Sequence, residues 1–323
     1  MFFRLRFQLS ILIFLIAVIG CGQSDQPPSQ SNRTKTGPPR IVVTSQPLLR
    51  MTKALIGDHA DVVLVVPDHT SSHDWSPTAA DAEIMQQARL IFISGAGYEP
   101  WRDRVSLPGS RTRDTAAGYY DQLIRIPDAV SHQHGPEGAH SHPGTVWATW
   151  LDPELCTAQL HQVSIHGGRL LPEQKLSIET AAAKLSAELN ALNALIDSIK
   201  AEAGAGDETR VVYSDAPHYQ YLTRRLGWTL NYLHWEVADA VSDANRTELL
   251  DAFSANTSSN PAPTSSRLFL LDSRHSADTE AFVRNSGGTV VRIDLCETPS
   301  PDSTSIPDRL KQNLQRIRDA IAK

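Results

Sequence analysis

Two short apolar runs, VVLVVP at 62–67 and LIFI at 90–93, bracket a polar loop and one helix-like segment. Short Val- and Ile-rich runs of this kind read as buried strands. Between them Ser76-Pro77 opens the helical segment, with Asp81 and Glu83 in its first turns, and Gly95-Ala96-Gly97 closes the second run. Strand, loop, helix and strand in that order favour a parallel pairing through a crossover, which buries both faces of a sheet under helices. The same grammar recurs. Residues 41–45 form a strand run, 47–56 a helix stopped by Gly57, and 210–213, 231–236, 268–271 and 290–294 read as further strands. His73 falls in the loop leaving the strand at 62–67. That is the C-terminal edge of the sheet, where open α/β sheets bind ligands.

A chain of 323 residues suggests two domains. From 172 to 199 apolar residues recur at helical spacing (Leu176, Ala183, Leu185, Leu189, Leu192, Ile196, Ile199), with no Gly or Pro after Pro172. At roughly 1.5 Å per residue such a helix is about 40 Å long. The expected division is an N-terminal lobe at 40–165, a linking helix at 166–204 and a C-terminal lobe at 205–323. A net charge of −6 excludes the basic balance of a nucleic-acid binder. It suits a cationic ligand without specifying one.

Residues 1–21 read as an export signal: Arg4 and Arg6, an apolar core from Leu9 to Ile19, and Val18-Ile19-Gly20-Cys21 at its close. The apolar run is shorter than the about 20 residues of a comfortable membrane span. Residues 22–39 contain Gly, Ser, Gln and Pro without an apolar side chain, as expected of a flexible tether. Between 131 and 145, SHQHGPEGAHSHPGT places His132, His134, His140 and His142 in a segment where Gly and Pro argue against regular structure. Imidazoles at this density can capture a borderline metal such as zinc.

The run from His73 to Trp101 resembles the substrate-binding lipoproteins of zinc and manganese ABC importers. His73, Asp74, Trp75, Pro77, Thr78, Asp81, Gly95, Gly97, Glu99, Pro100 and Trp101 match that family's pattern in order. Further matches are Trp150-Leu151-Asp152-Pro153, the segment Tyr219 to Gly227, and Asp294. Val18 to Cys21 likewise resembles a bacterial lipobox, whose cysteine carries lipid.

The resemblance implies two Rossmann-like α/β lobes with mainly parallel sheets, joined by one long backbone helix, with a metal in the cleft between them. It implies His73, one loop histidine (His142), His218 and Asp294 as ligands. His132, His134, His140, Asp215 and Glu236 are secondary candidates. His218 is preferred over Asp215 because a neutral imidazole suits zinc and Asp215 can orient it. Where the family has a ligand histidine two residues before Trp150, this chain has Ala148, which cannot bind metal.

The expected cargo is Zn2+, with Mn2+ as the alternative, since imidazole-rich coordination favours zinc and carboxylate-rich coordination manganese. The expected setting is a monomer anchored to the membrane by lipid on Cys21, in the periplasm or at the cell surface, delivering metal to an ABC permease and ATPase. It is not expected to be an enzyme or to bind nucleic acid. A zinc hydrolase or a metal-sequestering, adhesive surface lipoprotein are the competing functions. The sequence leaves open whether Cys156 and Cys296 pair.

Overall fold

Strand β1 (Arg40–Val43) lies at the heart of the first sheet, and Ile41, Val42 and Val43 are fully buried. It hands the chain to α1 (Gln46–Ile56), where Ser45 caps the N-terminus by accepting from Leu48 N and Gly57, at φ +56°, ends the helix. The computed structural model describes residues 37–68, 70–126, 144–204, 210–237, 239–255, 267–299 and 304–322, and the backbone alone at 131–133 and 139–141. The expectations for the export signal, Cys21 and most of the tether lie outside these residues, as do His134 and His142.

The first sheet continues through β2 (Asp61–Leu64), β3 (Leu90–Ile93) and β4 (Thr112–Asp114), in the order β2-β1-β3-β4, all parallel. The crossover helix α2 (Ala79–Gln87) starts at a capping box in which Thr78 and Asp81 satisfy each other's backbone. Strand β2 is shorter than the apolar run that announces it. Val65 N still bonds Val43 O, but Val65 and Val66 then turn down to pack with Trp75 and Trp101.

Strands β5 (Ser131–Gln133) and β6 (Ala139–Ser141) form an antiparallel ribbon with His132 opposite His140. No regular element was expected at 131–145. The glycines and prolines lie between and after these two short runs, not within them.

Two long helices follow, α3 (Pro153–Leu170), capped by Asp152, and α4 (Lys175–Glu202). The second lobe is built from β7 (Val211–Ser214), α5 (Gln220–Leu226), β8 (Thr229–Tyr232), α6 (Asp243–Ala255), β9 (Leu268–Asp272), α7 (Ala277–Asn285), β10 (Thr289–Ile293) and α8 (Ile306–Ile321). Its sheet runs β10-β9-β7-β8, again wholly parallel. The strand expected at 231–236 ends at Tyr232, because its partner β7 ends opposite at Ser214. Beyond that point only isolated backbone bonds continue, from Leu233 N to Ser214 O and from Trp235 N to Asp215 O.

Helix α4 packs on α3, α1, α5 and α8, so it touches elements of both lobes. At its start the buried face is carried by Ile178 and Ala182; Leu176, expected there, is exposed. One continuous core runs from Ile41, Val43 and Phe92 through Leu189, Leu192 and Ile196 to Val212, Leu270 and Ile293. Trp150 Nε1 donates to Leu295 O at 2.8 Å and Arg50 Nη1 to Thr304 O at 2.9 Å. Residues 38–323 accordingly form one compact unit, and a shared core of this kind resists wide hinge opening.

Glu99 ties the ends of β1 and β3 together. Its carboxylate accepts from Thr44 Oγ1 (2.6 Å), Ser94 N (2.7 Å) and Gly95 N (3.0 Å). Burial outweighs these bonds and pushes its pKa from 4.5 up to about 7. A carboxyl that holds its proton more tightly folded than unfolded favours the folded state most below pH 4.5, and that contribution is lost as pH rises towards 7. The span corresponds to about 3 kcal/mol. Urea melts between pH 4.5 and 7.5 should show this decline, and Glu99→Gln should flatten it.

Candidate functional site

The loop carrying His73 is pinned on both sides. Trp101, edge-on to Trp75 with ring centres 5.5 Å apart, donates through Nε1 to Ser72 Oγ at 3.2 Å. Ser72 N donates to the Tyr98 hydroxyl at 3.3 Å, and His73 N to Ser71 Oγ at 3.3 Å. Tyr98 is aimed by the turn after β3. Gly95 sits there at φ +73°, and a Cβ would lie 2.0 Å from Asp114 Oδ1, so no larger residue fits.

From the other lobe, β7 ends at Ser214, whose Oγ donates to Ala216 O at 2.7 Å. Pro217 then starts a single helical turn that presents His218 just before α5. Both imidazoles meet one indole. Trp147 lies 4.3 Å from the ring centre of His218 and 5.9 Å from that of His73, the latter pair stacked at 29°. Tyr98 and Trp150 complete an aromatic wall behind them, at 4.8 and 5.6 Å from Trp147. Burial, followed by the positive fields of His73 and Arg274, lowers the His218 pKa to about 3. His218 is therefore a neutral imidazole at any physiological pH, the form in which histidine binds metal.

A buried ionic network adjoins the histidines. Arg274 donates to Asp272 through its backbone N (2.8 Å), Nε (3.0 Å) and Nη2 (2.6 Å), and its Nη2 also lies 3.1 Å from Glu297 Oε2. Ser71 Oγ (2.7 Å) and the Tyr98 hydroxyl donate to Glu297 Oε1, so the first lobe grips a carboxylate of the second. Burial pushes the Glu297 carboxyl up while Arg274, Tyr98 and Ser71 pull it back. Burial likewise opposes the charge of Arg274, but Asp272 and Glu297 hold its pKa above the ordinary arginine value. Asp215 and His275, both buried, form a separate pair at 3.1 Å.

Among the sequence-selected residues the structure places both His73 and His218 against the Trp147 ring. Asp294 is placed differently. Its Oδ1 accepts from Cys296 N (2.7 Å) and Arg309 Nη2 (2.6 Å), and its Oδ2 from Arg309 Nε (2.6 Å). Asp215 faces His275, and Glu236 is exposed on the loop after β8. Ala148 is fully buried in the core. Cys156 and Cys296 are both buried and are not bonded to each other. Among the described residues no group of three or more His, Cys, Asp and Glu stands in position to hold a metal ion. Sequence reading passed over Tyr98, Trp147, Arg274 and Glu297. Each of the four lies just beyond a predicted strand or beside a quoted motif, but only the fold gives it a partner.

The sequence profile described as "ZnuA: Zinc-uptake complex component A periplasmic" matches residues 41–320. A putative metal-binding protein of Treponema pallidum is 27% identical over 46% of this chain, and the match spans 48% of that relative's length. The high-affinity zinc uptake system protein ZnuA of Bacillus subtilis is 25% identical over 67% of this chain and 68% of its own. Among solved structures, the substrate-binding protein FpvC from Pseudomonas aeruginosa in complex with Mn2+ aligns with a TM-score of 0.67 and 19% identity, covering 88% of this chain and 99% of that one. At that identity the likeness speaks for the fold.

The aim of Tyr98 depends on the turn at Gly95. Gly95→Ala should cost roughly 2–4 kcal/mol, through left-handed backbone strain and the clash with Asp114. Gly57→Ala meets open space and should cost less, about 1–2 kcal/mol from backbone strain alone. Urea unfolding of the two variants checks the contrast.

Proposed function

Because this chain belongs to the zinc-uptake complex component A family, we propose that it is the extracytoplasmic receptor of an ABC metal importer, binding a divalent transition metal between its lobes. The observation that carries the reading is that His73 and His218, one from each lobe, both pack against the ring of Trp147. Nitrogen donors suit zinc better than manganese, so zinc is the favoured cargo. A histidine of the 131–145 segment, His142 first, is proposed as a third donor on sequence grounds, with His132, His134 and His140 as an auxiliary capture set. Asp294, engaged on both oxygens by Arg309, is assigned to holding α8 against β10. Water or a second loop histidine then fills the remaining position.

The domain division proposed is that of the sequence, lobes at 40–165 and 205–323 with a linking segment at 166–204, whose long helix is α4. Lipid on Cys21 is proposed to hold the receptor at the membrane as a monomer, with a permease and an ATPase as partners. A receptor is favoured over an enzyme. The carboxylates beside the histidines already accept from Arg274, Ser71 and Tyr98, an arrangement that supports binding rather than proton transfer.

Calorimetry on residues 38–323 should find one sub-micromolar zinc site. His73→Ala and His218→Ala should each weaken it at least ten-fold. Weak binding at several sites, unchanged by either substitution, would remove the transport reading. Because burial holds the His218 pKa at about 3, proton competition at this ligand should not weaken zinc binding between pH 5 and 7.

A further inference from the structure

Arg274 is an unusual occupant for a cleft built to receive a cation. Its side chain is mostly buried, and its guanidinium stands between two carboxylates, Asp272 at 2.6 Å and Glu297 at 3.1 Å, that are themselves almost wholly buried. Its positive field reaches His218, one of the two converging imidazoles. Its position is fixed locally, because the same Asp272 accepts from its backbone N and its guanidinium. Glu297 is fixed from across the cleft by Ser71 and Tyr98. Without the guanidinium, Asp272 and Glu297 would be a pair of buried oxygen donors with no counter-ion, next to the loop that carries His73. Such a set would welcome a hard divalent cation.

We propose that Arg274 is the resident cation of this cleft and its specificity determinant: it occupies the carboxylate half of the site, excludes hard carboxylate-seeking ions such as Mn2+, and leaves only the imidazole half to an incoming metal. The inference deepens the receptor reading and rests on it for the identity of the imidazole half. A doubly charged ion coordinated by Glu297 or Asp272 would have to displace the guanidinium or sit beside it, against like charge in a poorly solvated space. A zinc ion held by His73 and His218 needs neither carboxylate. Removing the arginine charge leaves two buried carboxylates without a counter-ion, so the vacated place should itself attract a divalent cation.

The test compares the wild-type protein with Arg274→Met, Arg274→Gln and Arg274→Lys as residues 38–323, with MnCl2 as the probe against matched ionic strength in NaCl. Arg274→Met and Arg274→Gln should melt earlier than wild type without metal. They should recover with MnCl2 but not NaCl, and bind Mn2+ at least ten-fold more tightly than wild type by calorimetry. Arg274→Lys keeps the charge and should show no gain. The double variant Arg274→Met with Glu297→Gln should lose the gain. If the neutral variants are unfolded without metal, MnCl2 should restore their circular dichroism. Equal Mn2+ affinity in wild type and both neutral variants would overturn the proposal. A gain shared by Arg274→Lys, or kept in the double variant, would do the same. The receptor reading fails separately, on wild-type zinc binding that ignores His73→Ala.

Discussion

Trp150 is fully buried, donates to the backbone of Leu295 across the lobe boundary, and stands edge-on to Tyr98 at 5.2 Å. That joint decides the geometry of everything near it. The indole fills the space between the end of β10 and the turn after β3, so the C-terminal edges of the two sheets face each other at a fixed separation. Fixing the edges fixes the loops they emit. His73 follows β2, His218 follows β7, Arg274 follows β9 and Glu297 follows β10. None of these residues is near another in sequence. They meet because two parallel sheets have been docked by a common core and braced by α4.

Within that frame the polar groups divide by chemistry. The imidazoles converge on an aromatic wall, where burial keeps His218 unprotonated. The carboxylates are met by arginines of the chain itself: Asp272 and Glu297 by Arg274, Asp294 by Arg309. A buried carboxylate without a counter-ion is costly, and one beside a guanidinium attracts a second cation less. On the proposed function, this leaves the imidazoles beside Trp147 as the donors for a metal. This is the physical basis for favouring zinc, beyond the count of histidines in the chain.

Much of the scaffold was legible in the sequence because its signals are local. Apolar runs gave the strands and Gly57 the end of α1, whereas the start of α2 was expected at Ser76-Pro77 and lies at the Thr78–Asp81 capping box. The long helix was visible from its period, though its first buried residues were Ile178 and Ala182, while the expected Leu176 and Ala183 are exposed. His73 was legible because the motif around it is dense. Asp294 shows the limit. Its place at a strand end was readable, but its partner Arg309 lies on the next helix, and nothing in either residue's surroundings in the sequence announces the bond. Arg274 and Glu297 were invisible for the same reason. A charge can be read from one residue, whereas neutralisation depends on two elements that only the fold brings together. The strand ending at Tyr232 rather than Glu236 has a similar cause, since the length of a strand is set by its neighbour.

The central claim is that a metal sits between the lobes on His73 and His218. Anomalous diffraction at the zinc absorption edge, from crystals of residues 38–323 grown with one equivalent of zinc, tests it most directly. The account predicts a single strong peak within coordination distance of both imidazoles and beside Trp147. A peak confined to the 131–145 segment, with the space beside Trp147 empty, would contradict it.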